Sequence, residues 1–275
     1  MIFLCASAFG STQILLMSKT PRFPDGLGSS SGELGHNIMD HHFKIGISGY
    51  LSGMENRYYF GRRPNGIYIM RFRNVDERSR HPDFLRGYGY QGSASREGWG
   101  RGASEVGIGV ELKSRLRSPG RWRFGMTAFG EILPRHENYL ALDDYTTDAW
   151  GLPSLRIHCT LSDNELAMRQ DMMATGIDML EAAGCTEVSG SDNNYRPGEG
   201  IHEMGTARMG RDPRTSVLNA NNQLHDVPNV FVTDGACMTS AGCQNPSLTY
   251  MALTARAADF AVEARRRGEL PVGPG

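Results

Sequence analysis

"NVFVTDG" (229–235), followed after a loop of small residues by "NPSLTYMALTARAADFAVEARRR" (245–267), is the stretch that decides the fold. The first run is β-branched and aromatic and ends in Asp-Gly, the pattern of a buried strand opening into a turn. In the second, Asn245 stands where an N-cap belongs and Pro246 suits the first helical position. Leu248, Met251, Ala252, Ala255, Ala258 and Val262 then share one helical face, the face expected to be buried. A strand passing through a short loop into a helix N-terminus is an α/β crossing. In open α/β sheets ligands collect at such crossings, and helix N-termini favour anions.

The segment before it, "GIHEMGTARMG" (200–210), begins like a zinc-protease helix but lacks the second His four residues on, where Thr206 stands. Gly205 and Gly210 also argue against a long helix. His202 is therefore a lone imidazole in a glycine-punctuated turn. Read alone it is either a satisfied core histidine or a proton acceptor, since an imidazole with a pKa near ~6.5 is neutral and basic at working pH.

Outward from there the chain alternates between strands and loops. "MIFLCASAFGSTQILLMSK" predicts a buried strand over Ile2–Ala6, a tight turn at Gly10 and a short helix carrying Ile14, Leu15 and Leu16. It has no basic n-region, and Ser11-Thr12-Gln13 interrupts the apolar run, so neither a signal peptide nor a membrane span is expected. The cytoplasm and the periplasm both stay open as compartments. A chain that opens directly on a strand reads as cut into rather than begun.

Residues 20–36 read as loop, ending at "DHH" (40–42), whose adjacent histidines lack a third metal ligand nearby. "FKIGISGY" and "GIYIMRFR", between Phe43 and Asn74, predict strands of a half-buried sheet. Residues 76–106 read as a long polar surface loop or lid. "RWRFGMTAFGEILP" (121–134) and "LRIHCTL" (155–161) predict strands separated by an Asp-rich turn around 143–148. Ser162 and Glu165 form a capping box for a helix that Leu166, Met173, Ile177 and Leu180 bury and Gly184 ends.

Composition narrows the function classes. With 39% hydrophobic and 21% charged residues over 275 positions and a net charge of −1, the sequence reads as globular and excludes nucleic acid and membrane surfaces as partners. Arg265-Arg266-Arg267 suits a helix C-terminus. The cysteines at 5, 159, 185, 237 and 243 show no CxxC spacing and no disulfide framework, and Cys237 with Cys243 is at most a redox pair.

"HEMGTARMG", "NVFVTDG" and "NPSLTYMALTARAAD", in this order, resemble the C-terminal signature of the glucose-methanol-choline (GMC) flavoprotein oxidoreductases. "LCASAFGSTQILLMS", "GELGHNIMDHH" and "FGEILPRHENYLALDDYTTDAWGLPSLRI" resemble upstream parts of the same family, so the likeness spans nearly the whole chain. Its flavour is that of the sugar-oxidising members, such as glucoside 3-dehydrogenases, gluconate 2-dehydrogenase flavoprotein subunits and pyranose oxidases. The resemblance implies an α+β fold: an antiparallel-sheet substrate domain over 41–200, interleaved with Rossmann-like FAD-binding α/β segments at 1–40 and 201–275. It implies FAD as cofactor, His202 as catalytic base and Asn245 as the amide that holds the substrate oxygen. It further implies cofactor contacts from Asp234, Gly235, Asn245, Pro246, Ser247 and Thr249. Asn245 as a plain N-cap, and Thr249 as a residue back-bonding within its helix, stay open beside these roles.

One family element is missing. No strand runs into a G-x-G-x-x-G turn, and "GLGSSSGELG" (26–35) has neither the spacing nor the preceding strand, so the N-terminal dinucleotide-binding βαβ is absent. The expectation is the C-terminal part of an FAD-dependent dehydrogenase. Its partners would be a sugar or alcohol substrate, a cytochrome or other electron acceptor, and a small subunit or an N-terminal half. The alternatives are a non-catalytic remnant or docking subunit, and a metal-dependent hydrolase using His41, His42 and His202.

Overall fold

The computed structural model describes residues 1–58, 66–103, 107–118 and 120–270. In chain order it contains β1 (Ile2–Leu4), α1 (Ser7–Met17), β2 (His41–Leu51), β3 (Ile67–Ile69), β4 (Tyr88–Arg96) and α2 (Val110–Arg117). There follow β5 (Trp122–Glu131), β6 (Tyr139–Thr147), β7 (Pro153–His158), α3 (Asp163–Ala182), β8 (Cys185–Asp192), β9 (Val230–Val232) and α4 (Ser247–Arg266). The chain divides into two units, one of Met1–His42, Glu131–Glu165 and Arg196–Gly275, the other of Phe43–Gly130 and Leu166–Tyr195. Residues 131–165 group with the first unit because their backbone is tied there. Ile132 N–H donates to Asp40 O at 3.2 Å, and Leu140 N–H to Gly35 O at 2.8 Å.

The second unit is a sheet in the order β3-β4-β5-β2-β8, with antiparallel pairing where strand register is defined. Period-two alternation sends Ile45, Ile47, Tyr88, Tyr90, Met126 and Ala128 to one face, against Met168, Met172 and Leu180 of α3. The tyrosine hydroxyls are satisfied inside this core: Tyr90 donates to Met172 O at 2.8 Å and Tyr88 to Asp171, which also pairs with Arg73 at 2.8 Å. The opposite face carries Ser48, Gln91, Ser93, Arg123, Thr127 and Ser191 along an open cleft of about 810 Å³.

Two expectations need correction here. Residues 76–106 are not one surface loop: they contain β4, whose Tyr88 and Tyr90 lie at the centre of the core, while 104–106 fall outside the described residues. The strand is disguised because it holds no β-branched residue and Gly89, Gln91, Ser93 and Ser95 alternate with the inward-facing positions. The buried face of α3 is also rotated. Met168, Arg169, Met172, Gly176 and Leu180 are inside, the predicted Met173 and Ile177 are half-buried against the same core, and Leu166 is exposed. Gly176 decides this, since a Cβ there would lie 2.7 Å from Ile47 Cδ1. Gly176→Leu is therefore expected to destabilise the fold by about 1–3 kcal/mol through overpacking, read as a lowered denaturant midpoint. Gly184 does end the helix region, at φ 80°. The capping box works from one side: Glu165 Oε2 accepts the Ser162 N–H at 2.7 Å, but the Ser162 hydroxyl donates to the same carboxylate at 2.6 Å.

In the first unit β1 and β9 pair in parallel, Ile2 opposite Val230 and Leu4 opposite Val232, with Phe3 and Phe231 stacked at 4.9 Å. β9 is buried, as its β-branched run predicts. β1 is shorter than predicted and only half-buried, and Gly10 lies within α1 rather than in a turn. Nothing forces a turn at Gly10. Its added Cβ would meet Ala6 Cβ at 3.4 Å and Ser7 Oγ at 3.8 Å, ordinary contacts, and the helix runs on to bury Leu15. Residues 143–147 are likewise the end of β6 rather than a free turn.

The largest correction concerns α4. It packs through Ala257, Ala261 and Ala264 against Phe231, while Leu248 is 78% and Met251 68% exposed. Alanines let a helix axis come close to a strand; the larger predicted face would hold it away. Leu248, Met251 and Val262 therefore point outward, while Phe260 packs beside the alanines on Phe231.

Candidate active site

Asp40 builds the site. It is buried, and its Oδ1 accepts the backbone N–H of His41 at 2.7 Å and of His202 at 3.1 Å, while Oδ2 accepts the Gly200 N–H at 3.0 Å. A carboxylate at the end of one loop thus pins the turn that carries His202. The glycines of that turn are needed for close approach: a Cβ on Gly200 would lie 2.3 Å from Asp40 Oδ1, and one on Gly205 (φ 92°) 2.2 Å from Asn37 O. Thr206 locks the far side, its hydroxyl sharing a 2.7 Å bond with Thr12 Oγ1.

The His202 ring lies between two partners. Its Nδ1 is 3.0 Å from His41 Nδ1, the rings meeting edge to face, and its Nε2 is 3.4 Å from the Asn245 side-chain amide nitrogen. Partial burial lowers the His202 pKa below the ordinary histidine value, and the nearby Asp40 charge opposes that shift. His41 is lowered further, to about 4, by burial and by the neighbouring His202, against the opposing pull of Asp40 and of backbone at Gly242 and Ala241. Both imidazoles are neutral at neutral pH. The arrangement can accept a proton at His202 Nε2.

Asn245 is not the N-cap. That place belongs to Pro246, whose carbonyl accepts the Tyr250 N–H at 3.1 Å, and no side chain caps the helix. The amide is turned toward His202. Ser247 and Thr249 are exposed in the uncapped first turn, and the threonine that back-bonds in this helix is Thr254, onto Tyr250 O at 2.7 Å.

Asp234 and Gly235 sit differently. The Asp234 carboxylate accepts from the Ser11 hydroxyl and from the Ala236 N–H at 3.0 Å, and burial raises its pKa. Gly235 packs under the His202 turn: its carbonyl accepts the Gly205 N–H at 3.1 Å, and a Cβ would lie 2.4 Å from Glu203 O. The structure thus brings His202 and Asn245 together at the start of α4, with Gly235 packed under the His202 turn and Asp234 tied to α1 through Ser11. Sequence reasoning missed the parts played by Asp40 and His41. As sequence, "DHH" suggests metal ligands or a family segment and nothing of this role; among the described residues no group of three or more His, Cys, Asp or Glu is placed to hold a metal. Nor, among those residues, is any helix long and apolar enough to cross a membrane.

Residues 134–254 match the family model described as GMC oxidoreductase. The chain is 31% identical over 264 residues to the 2-methyl-1,2-propanediol dehydrogenase of Mycolicibacterium austroafricanum, covering 94% of this chain and 47% of that protein. It is 29% identical over 269 residues to the fructose dehydrogenase large subunit of Gluconobacter japonicus, covering 96% of this chain and again 47% of the relative. The chain therefore spans about half the length of the curated relatives it matches. Its fold is shared with Aspergillus oryzae formate oxidase, studied for modification of its FAD: the TM-score is 0.57 at 12% identity, covering 95% of this chain and 54% of the other. With the motif order and the family match in agreement, this chain belongs to the GMC oxidoreductases and carries sequence of their C-terminal region.

Proposed function

We propose that the protein containing this chain dehydrogenates a CH–OH group of a sugar or related alcohol, with His202 as catalytic base and Asn245 as the amide that holds the substrate oxygen. The observation that carries this reading is the convergence of His202 Nε2 and the Asn245 amide, 3.4 Å apart, at the uncapped start of α4. FAD, when bound, supplies the acceptor for the carbon-bound hydrogen, taken as hydride. His202 takes the hydroxyl proton at Nε2, and the Asn245 N–H steadies the developing alkoxide without competing for that proton. The residues fit a flavin: the first-turn N–H groups of α4, at Ser247, Leu248 and Thr249, have no side-chain cap and suit an electron-rich ring edge. Asp234 and Gly235 are assigned to the cofactor side of the same region, Asp234 through its ties to the start of α1. Residues 1–40 and 201–275 would belong to the FAD domain and the sheet to the substrate domain, with a cytochrome or other electron acceptor, and a small subunit or an N-terminal half, as partners.

The test is to incubate this chain with FAD, desalt it and measure retained flavin absorbance, then look for bleaching by a panel of sugars and vicinal diols. Stoichiometric flavin bleached by one of them supports the reading. Retained flavin that no sugar or alcohol reduces overturns it. A second reading, a docking subunit, is favoured by the exposed Leu248, Met251 and Val262 on α4. It predicts no retained flavin until a polypeptide carrying the dinucleotide-binding βαβ is added. Asn245→Ala, in the flavin-loaded protein, is expected to lower kcat by about 10²-fold, the scale for losing one oxyanion-directed donor. Since Asn245 does not cap α4, the thermal midpoint is expected to stay unchanged, whereas a true N-cap would cost about 1 kcal/mol.

A further inference from the structure

We propose that His41 is a positioning residue for His202, accepting the His202 Nδ1 proton and thereby fixing the tautomer whose Nε2 lone pair faces Asn245. The inference rests on His202 being the base.

The two Nδ1 atoms are 3.0 Å apart, so one proton, and only one, lies between them. If His41 were the donor, His202 would carry its own proton on Nε2. That N–H would then confront the Asn245 amide nitrogen, itself a donor, at 3.4 Å. If His202 is the donor, each contact joins a donor to an acceptor: Asn245 N–H to Nε2, and Nδ1–H to His41 Nδ1. The remaining His41 nitrogen, Nε2, then carries the ring's proton; it is buried, with no hydrogen-bond partner among the described residues.

The spacing of the rings is built in. One oxygen, Asp40 Oδ1, accepts the backbone N–H of both histidines, so neither can shift without the other. His41 is 1% exposed, so it meets His202 Nδ1 from the interior side. The choice of orienting group also has a chemical consequence. A carboxylate in this place would hold the base's pKa up, whereas a neutral imidazole orients the ring and leaves the pKa low. When the substrate hydroxyl proton arrives at Nε2, the His202 ring becomes cationic. Its Nδ1–H stays donated to His41, and the neutral hydrogen bond becomes a charge-assisted one. No proton needs to move onto His41.

The experiment is two-bond 1H–15N correlation of the histidine rings in this chain, with His202 assigned by the signals lost in His202→Ala. The wild type is expected to show His202 as the Nδ1–H tautomer. His41→Phe, which fills the space without an acceptor, is expected to shift His202 toward Nε2–H. His41→Asn, whose side-chain oxygen takes the place of Nδ1, is expected to restore Nδ1–H. In flavin-loaded enzyme, His41→Phe should lower kcat roughly 10- to 100-fold with KM little changed, and His41→Asn should recover most of it. An Nε2–H tautomer in the wild type overturns the proposal, as does an unaltered Nδ1–H tautomer in folded His41→Phe. Should His41→Phe not fold, loss of the Nδ1–H tautomer in His41→Asn overturns it and retention supports it. The spectra need no activity, so they stand apart from the base assignment, which fails separately if His202→Ala turns over normally.

Discussion

Replacing His202 with alanine is expected to lower turnover by about 10²–10⁴-fold in the flavin-loaded protein, the range for loss of a positioned general base. Flavin content is expected to be unchanged. The ring's partners are His41 and Asn245, and the turn that carries it is held through backbone, by Asp40 on the His202 N–H, so truncation removes the base and leaves the frame. Single-turnover flavin reduction is the measurement, because it isolates the step in which the proton leaves the substrate. The pH profile follows from the same site. Burial lowers the His202 pKa, so the acid limb of kcat/KM should lie below the ordinary histidine value, activity being lost as pH falls and the base becomes protonated. Near-normal reduction in His202→Ala would remove it from the mechanism.

Acid is expected to destabilise the native fold through His41. Its pKa is about 4 in the folded chain against 6.5 for an exposed histidine, so between those values the unfolded chain binds the proton and the native chain does not. The stabilisation is complete above pH 6.5 and is lost as pH falls toward about 4. Each pKa unit is worth about 1.4 kcal/mol, which makes the full loss roughly 3 kcal/mol. The side chain is only 1% exposed, so solvent screening removes little of this. Denaturant midpoints measured from pH 7 to pH 4 give the slope, and His41→Phe, which cannot titrate, should flatten it relative to the wild type. Equal slopes in the two proteins would mean that His41 does not enter the linkage. The comparison matters because other groups titrate in the same window, and only the difference between the variants belongs to His41.

Much of the local structure was legible. Val230, Phe231 and Val232 form a buried strand as their side chains predict, and Gly184, with its positive φ, stops the helix region before β8. Met168 and Met172 fill core space, as methionines in a helix between layers do. The motif order also pointed to the family. Periodicity failed where it had to choose between two surfaces. In α4 the sequence offers a stripe of Leu, Met and Val and a stripe of alanines, and pattern alone favours the bulkier one. Contact with β9 selects the alanines, because only small side chains permit that approach. In β4 the inward-facing Tyr88 and Tyr90 were hidden by the alternating Gly89, Gln91, Ser93 and Ser95.

By itself, then, the sequence determined the elements whose signals are local: the capping glycines and prolines, the β-rich run of β9, and the turn chemistry around His202. Local signals act over a few bonds, so a few residues suffice to read them. Only the tertiary structure decided that Asp40 and His41 meet a turn some 160 positions away, that Asn245 faces His202 instead of capping α4, and that Asp234 is tied to Ser11. These pairings depend on loop closure and on which backbone donors remain unsatisfied once the chain has packed, and no stretch of sequence contains both partners.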